Sequence, residues 1–250
     1  MHAISIIWTE VVTRPLTNGL MFLSAISGHQ FWLAIILFTV IARLALYPLT
    51  VKQLRSMKSM QAMQPRMKAV QEKYKNDRQR QQKEMMALYK EHGVSPLGCL
   101  GPMFLQMPIF FGLFTALRTA LADTPEGLVT LSQRLYGWLP LVDKSVPIHE
   151  NFLWLNLGHP DPTPILPVLV GATMYVSQKM SQTNIPGSDP KQQSMNNMMA
   201  WMLPLMFGLW TFAFPSGVAI YYILFNLVQI VQQYQVTGWG GLARQPAPIP

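Results

Sequence analysis

The chain has 250 residues, half of them hydrophobic and only 12% charged, with 17 Met, 7 Trp and a mean hydropathy of +0.21. No ordinary soluble domain needs that balance, which belongs in a bilayer. The formal net charge is +8, and the single cysteine, Cys99, excludes both a disulfide framework and thiol redox chemistry.

Residues 1–30 lack the basic start, continuous apolar middle and small-residue cleavage site of a signal peptide, so the segment reads as retained. Ile4, Ile7, Trp8, Val11 and Val12 recur at helical spacing while Thr9, Glu10 and Thr13 lie elsewhere. That pattern predicts an amphipathic helix in the membrane interface on the outer face, with a frayed tail as the alternative. Five stretches follow as spans: 31–51, 93–122 (its apolar run at 97–118), 163–180, 198–214 and 215–235. The fourth has 17 residues, roughly 25 Å against a hydrocarbon core of about 30 Å. It predicts either borrowed flanking residues or a locally thinned bilayer. The fold class expected is therefore an all-α membrane protein of five transmembrane helices. The connections are a hairpin at 52–92, an outer loop at 123–162, a cytoplasmic loop at 181–197 and a short tail at 236–250.

Charge orients the chain. Eleven of the 19 Lys/Arg lie in 52–92 with four acids, a net +7 of the chain's +8. Basic loops stay in the cytoplasm, which places the N-terminus outside and, after five spans, the C-terminus inside. The remaining charges agree, giving 14 basic residues inside, four outside and Arg43 within the membrane. Within 52–92, Met57, Met60, Met67, Val70 and Tyr74 mark one stripe, Met85, Leu88 and Tyr89 another, and NDRQR between them a reversal. Two amphipathic helices in a hairpin are predicted, the first kinked or restarted at Pro65. The stripes suit an adaptable Met-rich docking surface, with Met57, Met60, Lys68, Lys73 and Met85 as the candidate contacts. A solvated hairpin that only sets topology is the alternative, and RNA or anionic headgroups are open as its contacts.

Arg43 is the thirteenth residue of the first span, about 18 Å along the helix from Phe31 and about 12 Å from Val51. A charge at that depth costs from roughly 2.5 to well over 10 kcal/mol and survives where it faces a bundle interior or a water-filled cavity. Thr39 lies one turn earlier on the same face, and Pro48 leaves the Leu44 carbonyl without its helical donor, predicting a bend beside the arginine. Gln106, Ser177, Gln178, Asn226 and Gln229 add polar groups to the other spans, and together line a wet groove or, for those near the ends, meet solvent. No Asp or Glu occurs inside any span. The charge of Arg43 is thus available to an acidic visitor, and strongly so at low local dielectric.

The run from RLALYPLTVKQLRSMKSMQAMQP at 43–65 through GCLGPMFLQMPIFFGLFTAL at 98–117, continued by FPSGVAIYYILFNLVQIVQQ at 214–233, resembles the YidC/Oxa family of membrane-protein insertases. The resemblance implies a bacterial plasma (inner) membrane protein with a hydrophilic groove in the inner leaflet, open to cytoplasm and lipid and closed to the outside. Arg43, Thr39, Gln178 and Gln106 would line that groove. Met107, Phe110, Tyr221 and Tyr222 would form a greasy contact path. Nascent membrane proteins would be the substrates, with the ribosome, the Sec translocon and the lipid bilayer as further partners. Two departures stand out: only about 30 residues precede the first span, so the compact form without the large outer domain of Gram-negative relatives is expected, and the tail carries one Arg only, which weakens the expectation of tail-driven ribosome docking. No GxxxxGK[ST], HExxH or GxSxG motif occurs, and the five histidines are scattered. Neither an enzyme nor a cofactor or metal site is expected. The same charge also fits an anion transporter or channel with Arg43 lining a pore, and the same greasy face a chaperone that binds membrane subunits without moving them.

Overall fold

A computed structural model describes residues 6–92, 101–121, 124–139, 148–181 and 190–242. Ile4, Cys99, Lys144, Arg244 and the centres of the loops at 123–162 and 181–197 lie outside the described residues.

The described chain is almost wholly helical. A π-helical turn, Thr9–Thr13, runs into α1, Arg14–Ile26, with Pro15 in its first turn. Gly28 and His29, at φ 67° and 64°, reverse the chain, and an isolated bridge between Gln30 and His149 fixes the start of α2, Phe31–Ala45. The helix ends one residue short of Leu46. There the Ala42 and Leu44 carbonyls both accept the Leu46 N–H, and Pro48 stands in the first turn of α3, Tyr47–Lys73. The pair is bent by 61°. A proline fits the first turn of a helix, where its missing N–H has no intrahelical acceptor, so the chain restarts rather than continues. The helix of the first predicted span therefore ends at Ala45, and a new one starts at Tyr47. α3 then runs through Pro65 without restarting.

Asp77 caps α4, Arg78–Glu91, accepting from the Arg80 N–H. α5 is Gly101–Ala120 and α6 is Pro125–Arg134, the latter capped by Thr124. A two-residue antiparallel pair, β1 Asn151–Phe152 and β2 Leu155–Asn156, precedes α7, Ile165–Ser181. α8, Pro190–Trp210, closes in a 3-10 turn, Thr211–Ala213, and α9, Ser216–Thr237, follows. Gly238 ends α9 at φ 71°, and a last 3-10 turn, Gly240–Leu242, lies against α7. The fourth predicted span, 198–214, is thus the second half of a longer helix that starts at Pro190.

α7 packs on α8 and α9, α9 also on α2, and α1 on α2 and α5. Gly112 of α5 lets the turn at 9–13 lie directly on it, since a Cβ there would sit 2.5 Å from Val12 Cγ1. The main core is one-ended. Leu20, Phe31, Ile35, Leu113, Leu117 and Val218 head a buried cluster, drawn from α1, the first halves of α2 and α9 and the second half of α5. Towards the hairpin end the buried side chains turn polar: Arg43, Ser177, Asn226, Gln232 and Gln233.

The surface is inverted relative to a soluble protein. Leu44, Val168, Trp201, Leu205 and Val231 are all more than half exposed, while Thr13, Thr17, Asn18 and Ser24 are buried. Ile7 and Val11, on the predicted apolar face of the N-terminal segment, are 62% and 68% exposed. Apolar faces this extensive need a partner other than water. Among the described residues no single helix is long and apolar enough to cross a membrane, although the bent pair Phe31–Ala45 and Tyr47–Met60 qualifies together. The polar ends of α8 and α9, PKQQ and VQQYQ, dilute otherwise apolar helices.

Candidate functional site

Arg43 occupies the boundary between the apolar core and the polar end. It lies on the inward face of α2 one turn after Thr39, and the two are 6% and 1% exposed. The sequence near Arg43 offers no partner; the fold brings two from α9. Arg43 Nη2 donates at 2.9 Å to the Phe225 carbonyl and at 2.9 Å to Gln229 Oε1. Its guanidinium carbon lies 3.5 Å from the centre of the Phe225 ring, in cation–π stacking. Gln232, one turn further along the same face of α9, donates to the Arg43 backbone carbonyl at 3.4 Å. Residues 225, 229 and 232 thus bracket one arginine, at ring, side chain and backbone, through the i, i+4, i+7 geometry of a helix face.

The satisfaction is incomplete. Arg43 Nε and Gln232 Oε1 are buried with no hydrogen-bond partner. Among the described residues Glu10–Arg14 and Asp77–Arg80 form ion pairs far along the chain, and no carboxylate pairs with Arg43. Guanidinium carries five N–H donors in a planar fork, and only neutral oxygens answer them here.

The other polar candidates divide. Gln106 donates to the Tyr221 hydroxyl at 3.4 Å, which joins α5 to α9 beside the core. Asn226 donates to Thr173 Oγ1 at 3.3 Å, turning towards α7 and away from Arg43. Gln178 is half-buried on α7, next to buried Ser177. Gln233 and Ser181 bond each other across α9 and α7. Thr39 Oγ1 donates back to the Ile35 carbonyl at 2.7 Å and so is not a donor towards Arg43.

The four apolar candidates lie on neighbouring turns of α5 and α9 but at different depths. Met107 is 45% exposed, Phe110 and Tyr222 are half-buried, and Tyr221 is 2% exposed. Phe110 meets Tyr222 edge-on at 5.4 Å and Phe214 at 6.1 Å, and Phe207 of α8 lies 5.8 Å from Tyr222. Phe207, Phe214 and Phe225 escaped sequence reading because a phenylalanine in an apolar span carries no signal of its own. The spacing of Phe225 four residues before Gln229 could have indicated the last.

In the hairpin, Met57, Met60, Met67 and Met85 are half-buried and Lys73 is exposed. The arms pack on each other, joined by Gln81 Nε2 to the Gln71 carbonyl at 3.1 Å and by a 2.8 Å contact between Arg66 and His92. Met57, nearer the bundle, lines a pocket with Met180, Gln233 and Thr237. Lys73 lies over the Tyr74 ring at 5.3 Å.

At the opposite end, α6 is clamped to α1. Asn18 Nδ2 donates to the Arg134 carbonyl at 2.9 Å, Asn18 Oδ1 accepts from the Tyr136 N–H at 2.7 Å, and Arg14 Nε donates to the Arg134 carbonyl at 3.1 Å. Ser216, the first residue of α9, donates through both N–H and Oγ to the His159 carbonyl.

Residues 22–240 match the family described as 60Kd inner membrane protein. The chain belongs to the YidC/Oxa insertase family. Relatives of YidC type include the membrane protein insertase YidC 2 of Bacillus anthracis, 35% identical over 237 residues, which are 93% of this chain and 82% of that protein. The membrane protein insertase MisCA of Bacillus subtilis (strain 168) is 33% identical over 92% of this chain and 79% of its own length. The YidC of Geobacter sulfurreducens is 36% identical over 94% of this chain but only 39% of that longer protein. The likeness thus extends over most of the short Bacillus proteins. YidC/Oxa proteins are multi-pass and membrane-embedded, which accounts for the inverted surface, and they insert proteins rather than catalyse a reaction.

Proposed function

We propose that this insertase draws the transmembrane segments of nascent membrane proteins into a polar half-channel around Arg43 and releases them sideways into lipid, without nucleotide hydrolysis. Five spans carry it across the plasma membrane with the N-terminus outside, the hairpin and C-terminus in the cytoplasm, and the N-terminal helix in the outer interface. The 14-to-4 division of basic residues supports that orientation. On it, the packed core forms the outer half and the polar groups around Arg43 the inner half, so the outer side is closed and the inner side hydrophilic.

One observation carries the reading: a guanidinium, 6% exposed, whose only acceptors among the described residues are neutral. A buried cation without a resident carboxylate attracts acidic groups entering its pocket far more strongly than a surface charge does. With Thr39, Gln106 and Gln178 it shortens the apolar path for a polar segment. Met107, Phe110 and Tyr222 then offer the substrate helix an apolar ramp, with Tyr221 supporting it from behind. Transfer of the helix into lipid completes insertion, driven by about 25 cal/mol per Å² of apolar surface removed from water. The hairpin, through Met57, Met60, Met85, Lys68 and Lys73, is the first cytoplasmic contact, and a ribosome or Sec translocon delivers some substrates there.

The test is a proteoliposome insertion assay with paired substrates differing only in acidic or neutral residues of the translocated tail. Arg43→Ala is expected to lower the acidic-to-neutral insertion ratio by about tenfold to a hundredfold, the worth of one charge-assisted hydrogen bond. An unchanged ratio removes the charge-attraction step.

A further inference from the structure

We infer that Gln229 is a placeholder for the substrate's carboxylate: it occupies the guanidinium position that an acidic side chain takes, and so sets how strongly the groove selects acidic tails. This rests on the reading of Arg43 above and deepens it.

The stereochemistry of the bracket leads there. A carboxylate binds guanidinium best through two parallel N–H bonds along one edge. The Nε edge also carries one hydrogen of Nη2. Nε is buried with no acceptor, while Nη2 serves two acceptors, the Phe225 carbonyl and Gln229 Oε1, each at 2.9 Å. Nη2 has two hydrogens, so both are engaged. A carboxylate can chelate the Nε–Nη2 edge only by displacing one of these oxygens.

The two differ in how easily they leave. The Phe225 carbonyl belongs to the backbone of α9, which spans Ser216–Thr237, and moving it means breaking a helix. Gln229 Oε1 sits at the end of a half-buried side chain with three rotatable bonds. It is also a carboxylate in outline, one sp² oxygen beside an amide nitrogen of similar size. A neutral acceptor keeps the cation hydrogen-bonded while no substrate is present, which limits the cost of burial. It yields to an ionised acceptor, which adds the attraction of a full opposite charge to the hydrogen bond. The Phe225 ring, stacked on the guanidinium face at 3.5 Å, holds the plane in place during the exchange. The bare edge at Nε is the second point of attachment already waiting.

The same logic predicts what a glutamate would do at this position. It would supply the internal counter-ion that the spans otherwise lack, and the substrate would have to displace an equal competitor. The experiment uses the full chain in proteoliposomes with the same pair of acidic-tail and neutral-tail substrates. Gln229→Glu is expected to lower the acidic-to-neutral ratio by about tenfold, because the substrate must then displace an ionised acceptor already paired with the guanidinium. Gln229→Met, close in volume but unable to accept, is expected to raise the ratio a few-fold. If the glutamate variant loses all insertion through misfolding, the methionine variant alone decides. A ratio unchanged or lowered in Gln229→Met overturns the placeholder role, as does an unchanged ratio in a folded Gln229→Glu. Arg43→Ala, run in parallel, separates the two levels. If it lowers the ratio and the Gln229 variants do not, this inference fails alone. If it leaves the ratio unchanged, the reading of Arg43 fails with it.

Discussion

Asn18→Ala is expected to loosen the clamp that holds α6 onto α1. Asn18 is 2% exposed and ties together Arg14, Arg134 and Tyr136: its amide donates to the Arg14 and Arg134 carbonyls at 2.8 and 2.9 Å, and its oxygen accepts from the Tyr136 N–H at 2.7 Å. After truncation the Arg134 carbonyl keeps its bond from Arg14 Nε, but the Tyr136 N–H loses its acceptor. The Tyr136 donor is half-buried, so its orphaning costs the low end of about 1–3 kcal/mol, and each lost neutral hydrogen bond a further 0.5–1.5 kcal/mol or so. The sum is about 3 kcal/mol, which corresponds to roughly a hundredfold rise in the local opening equilibrium. Hydrogen exchange of the Tyr136 amide, read against amides in the middle of α9 as an internal standard, measures it. Exchange at Tyr136 within about threefold of wild type would refute the assignment of the clamp to Asn18.

Three further outcomes follow from the geometry. Gly217→Val places a Cβ 3.1 Å from the Leu157 carbonyl and 3.3 Å from Ile35 Cδ1, and is expected to cost about 1–3 kcal/mol, seen as a lowered thermal midpoint in detergent. Asp77→Ala removes the cap bonded to the Arg80 N–H and is expected to cost about 1 kcal/mol locally, speeding amide exchange in the first turn of α4 and leaving the midpoint unchanged. Deleting the hairpin tip, 76–81, is expected to impair insertion less than deleting 52–92, because the Met-bearing arms survive; protease protection of an inserted substrate compares the two, and equal losses would place the function in the tip.

Legibility in the sequence followed how local each cause is. Pro48 announced the bend after Arg43, because its missing N–H acts within one turn. The NDRQR reversal was equally local, Asp77 supplying its own cap. The end of the first helix at Ala45 was less legible, since residues 46–51 are apolar enough to read as a continuation. Arg43's partners were beyond reach: Phe225 and Gln229 lie 182 and 186 residues downstream, and only the packing of α9 on α2 brings them in. Gln229 was visible as a polar residue in an apolar helix, and Phe225 only through its spacing from Gln229. Asn18 was not visible at all, since its three bonds depend on where α6 docks.

The 61° elbow at Leu46 couples two parts of the molecule that are otherwise distant. Arg43 stands three positions before it, and beyond it α3 continues for 27 residues, a rod of about 40 Å. A tilt of about 10° at the elbow sweeps the far end of that rod through about 7 Å. The elbow therefore sets the direction in which the hairpin leaves the bundle, and the guanidinium stands within one helical turn of the joint that fixes it.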